Sequence, residues 1–166
     1  MIRDAETRAH AVIDMVFPEA YLSLPSDEHT PTGTPYPTNR EALVARFLKR
    51  MASTRPQPPF GAMAQLGACL THWVSDDRLK LIKETGVPIL VVTGTWDNLI
   101  RPSNSHRLAS VLGARLEVFE GCGHAVISEQ PRKYNALLEE HVRSAQKLRD
   151  ERRGGSGAGS SRSPGS

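Results

Sequence analysis

Two cysteines, Cys69 and Cys122, are all that this chain contains. They lie far apart and show no C-x-x-C spacing, so neither a disulfide framework nor a cysteine-type metal site is expected. A reducing compartment follows as the expectation. Long apolar runs are missing as well. None approaches the roughly 20 residues that cross a bilayer. The opening Met1-Ile2-Arg3-Asp4-Ala5-Glu6 is charged and lacks the apolar stretch of a signal peptide. These absences predict a soluble, cytoplasmic chain with no membrane partner. Aromatic residues are sparse, at 5%, against 39% hydrophobic residues overall. That composition is globular but on the polar side, and 166 residues suffice for one domain with a core.

An excess of one charge is also absent once its location is examined. The chain carries 21 basic and 18 acidic residues. Arg152, Arg153 and Arg162 stand in an acid-free C-terminal stretch and account for the whole excess. No basic face is left for nucleic acid, so none is expected as a partner.

Strand patterns are missing from the first half. Residues 4–17 place Ala5, Ala9, Val12, Ile13 and Val16 at helical spacing, and Pro18 stops the pattern. Pro25, Pro31, Pro35, Pro37 and Gly33 mark an irregular loop. Thr38 and Glu41 form a T-x-x-E capping box before a helix with Leu43, Val44, Phe47, Leu48 and Met51 on one face. Pro56, Pro58 and Pro59 end it. A third helix over residues 60–73 shows Met63, Leu66, Leu70 and Trp73 in a stripe. Ser75 caps a short fourth one.

The pattern changes at Val87. Residues 88–94, Pro-Ile-Leu-Val-Val-Thr-Gly, fit a strand buried on both faces. Residues 102–112 read as a helix stopped by Gly113. Residues 115–119 alternate and read as a second strand. Pro131 opens a long helix whose inner face is Tyr134, Leu137, Leu138, Val142, Ala145 and Leu148. The order strand, helix, strand, helix implies a right-handed parallel unit, hence an α/β fold. The Gly-, Ser- and Arg-rich tail, residues 151–166, is expected to be disordered.

In a parallel sheet, chemistry sits at the carboxyl ends of strands. Two loops leave strands there. One, Gly94-Thr95-Trp96-Asp97-Asn98-Leu99-Ile100-Arg101-Pro102, brings a carboxylate. The other, Glu120-Gly121-Cys122-Gly123-His124-Ala125, brings an imidazole. A carboxylate that accepts from a histidine fixes its tautomer and stabilises its protonated form, which a general base requires. Taken singly, Asp97 reads better as a turn residue and His124 as a turn histidine beside glycine. Their loops and their order give the pair its meaning.

The runs P-I-L-V-V-T-G-T-W-D-N-L-I-R-P-S-N-S and L-E-V-F-E-G-C-G-H-A-V-I-S-E-Q-P resemble the last two strands of α/β-hydrolase-fold proteins. There the acid follows the penultimate strand and a G-x-G-H-type turn presents the histidine. The resemblance implies Asp97 as the orienting acid and His124 as general base, then general acid, in hydrolysis of an ester-like bond. It implies a small-molecule substrate and no metal or organic cofactor. It divides the chain into a helical cap- or lid-like region (1–85), the C-terminal part of a hydrolase core (86–150) and the tail (151–166). The expected fold is thus a partial α/β-hydrolase: a helical half, a two-strand parallel remnant and a C-terminal helix.

One family element is missing. The nucleophile elbow G-x-S-x-G occurs nowhere in the sequence, and no oxyanion-hole loop precedes residue 88. The nucleophile, whether Ser, Asp or Cys, is expected to lie outside this chain, as in a truncated, alternatively spliced or partly duplicated gene. Two readings stay open: the acid–histidine part of a hydrolase, inactive alone, or a non-catalytic hydrolase-like fragment that binds a small molecule or a partner protein.

Other candidates read more simply. Cys122 sits too close to His124 on a tight turn to align for proton transfer, so a small buried thiol is expected. His72 and Trp73 are assigned to packing, and His106 and His141 have no partner pattern. Ser103-Asn104-Ser105 is assigned as the cap of the helix after Pro102. The Met63, Leu66 and Leu70 stripe is assigned to core rather than to a substrate pocket. The strand over 88–94 should lack a neighbour on at least one edge, which predicts that the isolated chain self-associates or is only marginally folded.

Overall fold

The computed structural model describes residues 4–155. Its first element begins where a side chain supplies a missing acceptor. Asp4 takes a hydrogen bond from the Thr7 N–H at 2.8 Å and caps α1, Ala5–Val16. A single turn that sequence periodicity did not indicate, α2 (Glu19–Leu22), follows Pro18. Thr38 caps α3, Asn39–Ser53, by accepting from Glu41 N–H; among the described residues the reciprocal half of the capping box is not made. Ala9, Ile13, Phe17, Leu22 and Val44 bury themselves between α1, α2 and α3. Arg40 ties the three together by pairing with both Asp14 and Glu19.

Next come α4, Pro59–Thr71, and α5, Asp76–Glu84, the latter capped by Ser75 as expected. β1, Leu90–Gly94, then leads through α6, Pro102–Leu112, into β2, Arg115–Phe119. The strands pair in parallel, in the register Leu90 to Arg115 through Gly94 to Phe119. A second unforeseen turn, α7 (Val126–Glu129), precedes α8, Pro131–Gly155. Phe119, Cys122 and Leu137 form a second buried cluster, joined by Leu90, Val92, Val126 and Tyr134. It fastens α8 to one face of the sheet. α6 lies against β1 and against α5, where Arg107 pairs with Asp76.

Several expectations are corrected. The α4 stripe is not core: no residue of α4 is buried, and Met63, Leu66 and Leu70 face solvent. Nothing among the described residues packs over that side. Trp73 is also exposed, with the Arg107 guanidinium 5.2 Å above its ring. Ser103-Asn104-Ser105 does not cap α6. Pro102 takes the first helical position, so the serines fall inside the helix and Arg101 is the cap residue.

β1 is buried only at its end, at Thr93 and Gly94, while Leu90, Val91 and Val92 are half-buried. The cause is that β1 pairs only with β2 among the described residues. Of the expected inner face of α8, Leu137 is buried and Tyr134 half-buried, whereas Leu138, Val142 and Leu148 are exposed. The helix outruns the two strands available to it. It also extends into the segment read as a tail, with Arg152 donating to the Gly86 carbonyl at 3.0 Å. The rest of that tail, 156–166, lies outside the described residues.

Candidate active site

Both chemistry-bearing loops leave the same end of the sheet because the strands are parallel and in register. Their backbones are stitched together. Thr95 N–H donates to the Phe119 carbonyl at 3.1 Å and Trp96 N–H to the Cys122 carbonyl at 2.9 Å. In return, Gly121 N–H donates to Thr95 Oγ1 at 2.8 Å. Contact this close requires glycine. A Cβ on Gly94 would stand 2.2 Å from the Cys122 carbonyl oxygen, and one on Gly123 would stand 2.4 Å from that of Val16.

The structure brings Asp97 and His124 into direct contact. His124 Nδ1 lies 2.9 Å from Asp97 Oδ2. The other carboxylate oxygen, Oδ1, accepts the N–H groups of Leu99 at 3.0 Å and Ile100 at 2.8 Å. Asp97 therefore acts as a turn residue and as the histidine's partner at once. Its side chain is 9% exposed, against 40% for His124. A carboxylate accepts only, so Nδ1 carries the proton when the ring is neutral, and Nε2 is left as the basic nitrogen. No hydrogen bond engages Nε2 among the described residues. The His124 N–H is anchored on the Val16 carbonyl at 2.9 Å, so the end of α1 helps set the ring's position.

Cys122 is buried, and burial followed by the Glu129 charge pushes its thiol up from its ordinary value. It stays protonated, and its sulfur accepts from Gln130 Nε2 at 3.1 Å. This is the small buried thiol expected from the sequence. No cluster of three or more His, Cys, Asp or Glu is placed to hold a metal among the described residues.

Sequence reading missed three supports of the site: the Val16 carbonyl, Glu129 and Gln130. A backbone carbonyl has no sequence signature. Glu129-Gln130 stands directly before the Pro131 that opens α8, and that local acid was the one available signal.

The sequence model of the alpha/beta hydrolase family matches residues 4–137, and the chain belongs to that family. Among curated relatives, monoacylglycerol lipase abhd6-A of Xenopus laevis is 29% identical over 85 residues, 51% of this chain and 24% of that protein. Monoacylglycerol lipase ABHD6 of Bos taurus is 36% identical over 59 residues, 35% of this chain and 18% of that protein. A putative 2-succinyl-6-hydroxy-2,4-cyclohexadiene-1-carboxylate synthase of Bacillus subtilis is 30% identical over 63 residues, covering 38% and 23% of the two chains. The chain thus spans a quarter or less of the length of these relatives.

Among solved structures, a membrane phospholipase A described as a bacterial virulence factor superposes with a TM-score of 0.56 at 18% identity, covering 87% of this chain and 40% of that one. A single-site mutant of the meta-cleavage product hydrolase CumD gives 0.51 at 21% identity, covering 84% and 46%. These likenesses establish the α/β-hydrolase fold, present here in part as a two-strand parallel sheet among helices. No helix among the described residues is long and apolar enough to cross a membrane.

Proposed function

We propose that this chain supplies the acid–histidine part of a nucleophile-His-Asp triad that hydrolyses an ester-like bond of a small molecule. The observation that carries this is the 2.9 Å contact between His124 Nδ1 and Asp97 Oδ2 at the carboxyl ends of two paired parallel strands. In this reading, Nε2 of His124 takes the proton of the nucleophile as it attacks the substrate carbonyl. The same proton then passes to the leaving alcohol. Water repeats the cycle, with His124 again as base, and releases the acid. Asp97 orients the ring and stabilises the imidazolium; it is not itself protonated.

No serine, threonine or cysteine side chain hydrogen-bonds the His124 ring among the described residues. The sequence also holds no G-x-S-x-G elbow, so in this reading the nucleophile lies outside this chain, and the chain alone is expected to be inactive. A cytoplasmic setting belongs to the same reading, supported by the two free cysteines. A second reading, a non-catalytic hydrolase-like chain that docks a small molecule or a partner protein, is favoured by the exposed apolar side of α4.

A chimera separates the two. This chain would replace the matching segment of the Xenopus laevis monoacylglycerol lipase, which retains its own remaining residues. Hydrolysis of a short-chain ester is expected, with losses of orders of magnitude in His124→Ala and Asp97→Asn. A folded chimera whose turnover is indifferent to His124→Ala would overturn the proposal. The unfused chain should leave a fluorophosphonate probe unreacted, and stoichiometric labelling of one of its serines would contradict it equally.

A further inference from the structure

The turn that carries His124 is closed by its own downstream residues. Gly123, immediately before His124, donates its N–H to Glu129 Oε1 at 2.8 Å. Gln130 reaches back to Cys122 Sγ. Between them, α7 folds the chain over in a single turn, with the N–H groups of Ser128 and Glu129 both on the Ala125 carbonyl. Tyr21 of α2 steadies this turn from outside by donating its hydroxyl to the Ser128 carbonyl at 3.2 Å.

Glu129 is an awkward residue to keep there. It is half-buried, and burial followed by the charge of Asp97 raises its carboxyl above the ordinary glutamate range, against the opposing pull of the Gly123 N–H. A neutral side chain of the same size would avoid both penalties. What the carboxylate offers is a strong acceptor for one buried peptide N–H. Gly123 itself can carry no side chain, because Val16 O, Pro18 Cδ and Phe17 Cα crowd the space. Its peptide is therefore oriented through its N–H, and the next N–H along, that of His124, is held by Val16.

We propose that Glu129 is a positioning residue for His124: its carboxylate fixes the Gly123 peptide and so sets the approach of the imidazole to Asp97. This rests on reading Asp97 and His124 as a functional pair. Glu129 makes no hydrogen bond to the His124 ring among the described residues, so it acts through the backbone and not on reacting atoms.

The experiment reads the ring nitrogens of His124 by 15N NMR in the full chain, under conditions where the imidazole is neutral. Wild type is expected to show the Nδ1–H tautomer that Asp97 selects. Glu129→Gln keeps an acceptor for Gly123 and should preserve that tautomer. Glu129→Met fills the same volume without an acceptor and should lose it while unfolding stays cooperative. Should the Met variant fail to fold, Glu129→Asp keeps the charge, shortens the reach and should show the same loss. Wild-type tautomer in a folded Met or Asp variant would overturn the proposal, as would its loss in the Gln variant. A wild-type ring with no Nδ1–H preference would remove the Asp97–His124 pair, and this proposal with it.

Discussion

The His124 turn and α4 are built on opposite terms. The turn is a short irregular segment held from elsewhere in the chain by Val16, Asp97, Glu129 and the backbone of the loop after β1. α4 is a regular helix of 13 residues with no buried side chain. Its Phe60 is 84% exposed and its Leu70 77%. Regular hydrogen bonding is thus no guide to how firmly a segment is fixed; tertiary contacts decide it. The irregular turn is held by these contacts, whereas α4 buries no side chain and offers its apolar side outward.

One substitution type, glycine to alanine, tests the contrast in both directions. In Gly94→Ala the added methyl would meet the Cys122 and Gly123 carbonyl oxygens at 2.2 and 2.3 Å. Both are backbone atoms, so the two loops must separate. A loss of about 3 kcal/mol or more is expected, read as a lower urea midpoint at unchanged slope. In Gly67→Ala, on α4, the methyl meets nothing within 4 Å. That substitution should stabilise the chain by about 0.5–1 kcal/mol, because alanine loses less backbone entropy in a helix. Equal effects of the two would show that the loops are as loosely held as α4.

Legibility in the sequence follows the same division. The strands, α6, its Gly113 stop and the Asp97–His124 pair were readable, because each rests on local pattern: a β-branched run, a proline start, two loops at one end of a parallel unit. α2 and α7 were not, since a single turn is too short to show a 3.6-residue period. The burial of the Met63, Leu66 and Leu70 stripe was misread for a different reason. Periodicity shows that a helix has an apolar side; it does not show that anything covers it. Glu129 was legible only as a local acid before Pro131, because its partner is a backbone N–H, which every residue but proline carries.

A smaller effect is expected from pH. The groups acting on or beside Glu129 are Asp97 from the loop after β1, Tyr21 from α2, and Cys122 on its own turn. Burial and Asp97 raise the folded-state value of Glu129 above its unfolded one, so between the two the folded chain holds more protons than the unfolded chain. Stability from this group is complete below the ordinary glutamate range and is lost as pH rises through the raised value. Glu129→Gln removes the titration. The variant should gain on wild type as pH rises through that window, and the difference should close in acid. Urea midpoints of both proteins at several pH values would show it. A difference that does not vary with pH would contradict the assigned cause.

The smallest expected change in folding stability comes from α4, and there a null result carries information. Met63 and Leu70 lie on one side of the helix and are both largely exposed. Replacing both with serine removes little buried area, so the unfolding free energy from urea melts should stay within about 0.5 kcal/mol of wild type per site. Association should respond instead. Phe60, Met63, Leu66 and Leu70 together leave exposed apolar surface on α4 of a kind that soluble monomers seldom leave open. The unpaired edges of β1 and β2 among the described residues are a second route to contact between copies. If α4 dominates, light scattering on the wild-type chain shows a concentration-dependent mass, and the double serine variant shifts it towards the monomer. If the strand edges dominate, the variant associates as wild type does. A fall in the unfolding free energy of several kcal/mol would mean that α4 is packed against something after all, and the contrast with the His124 turn would then fail.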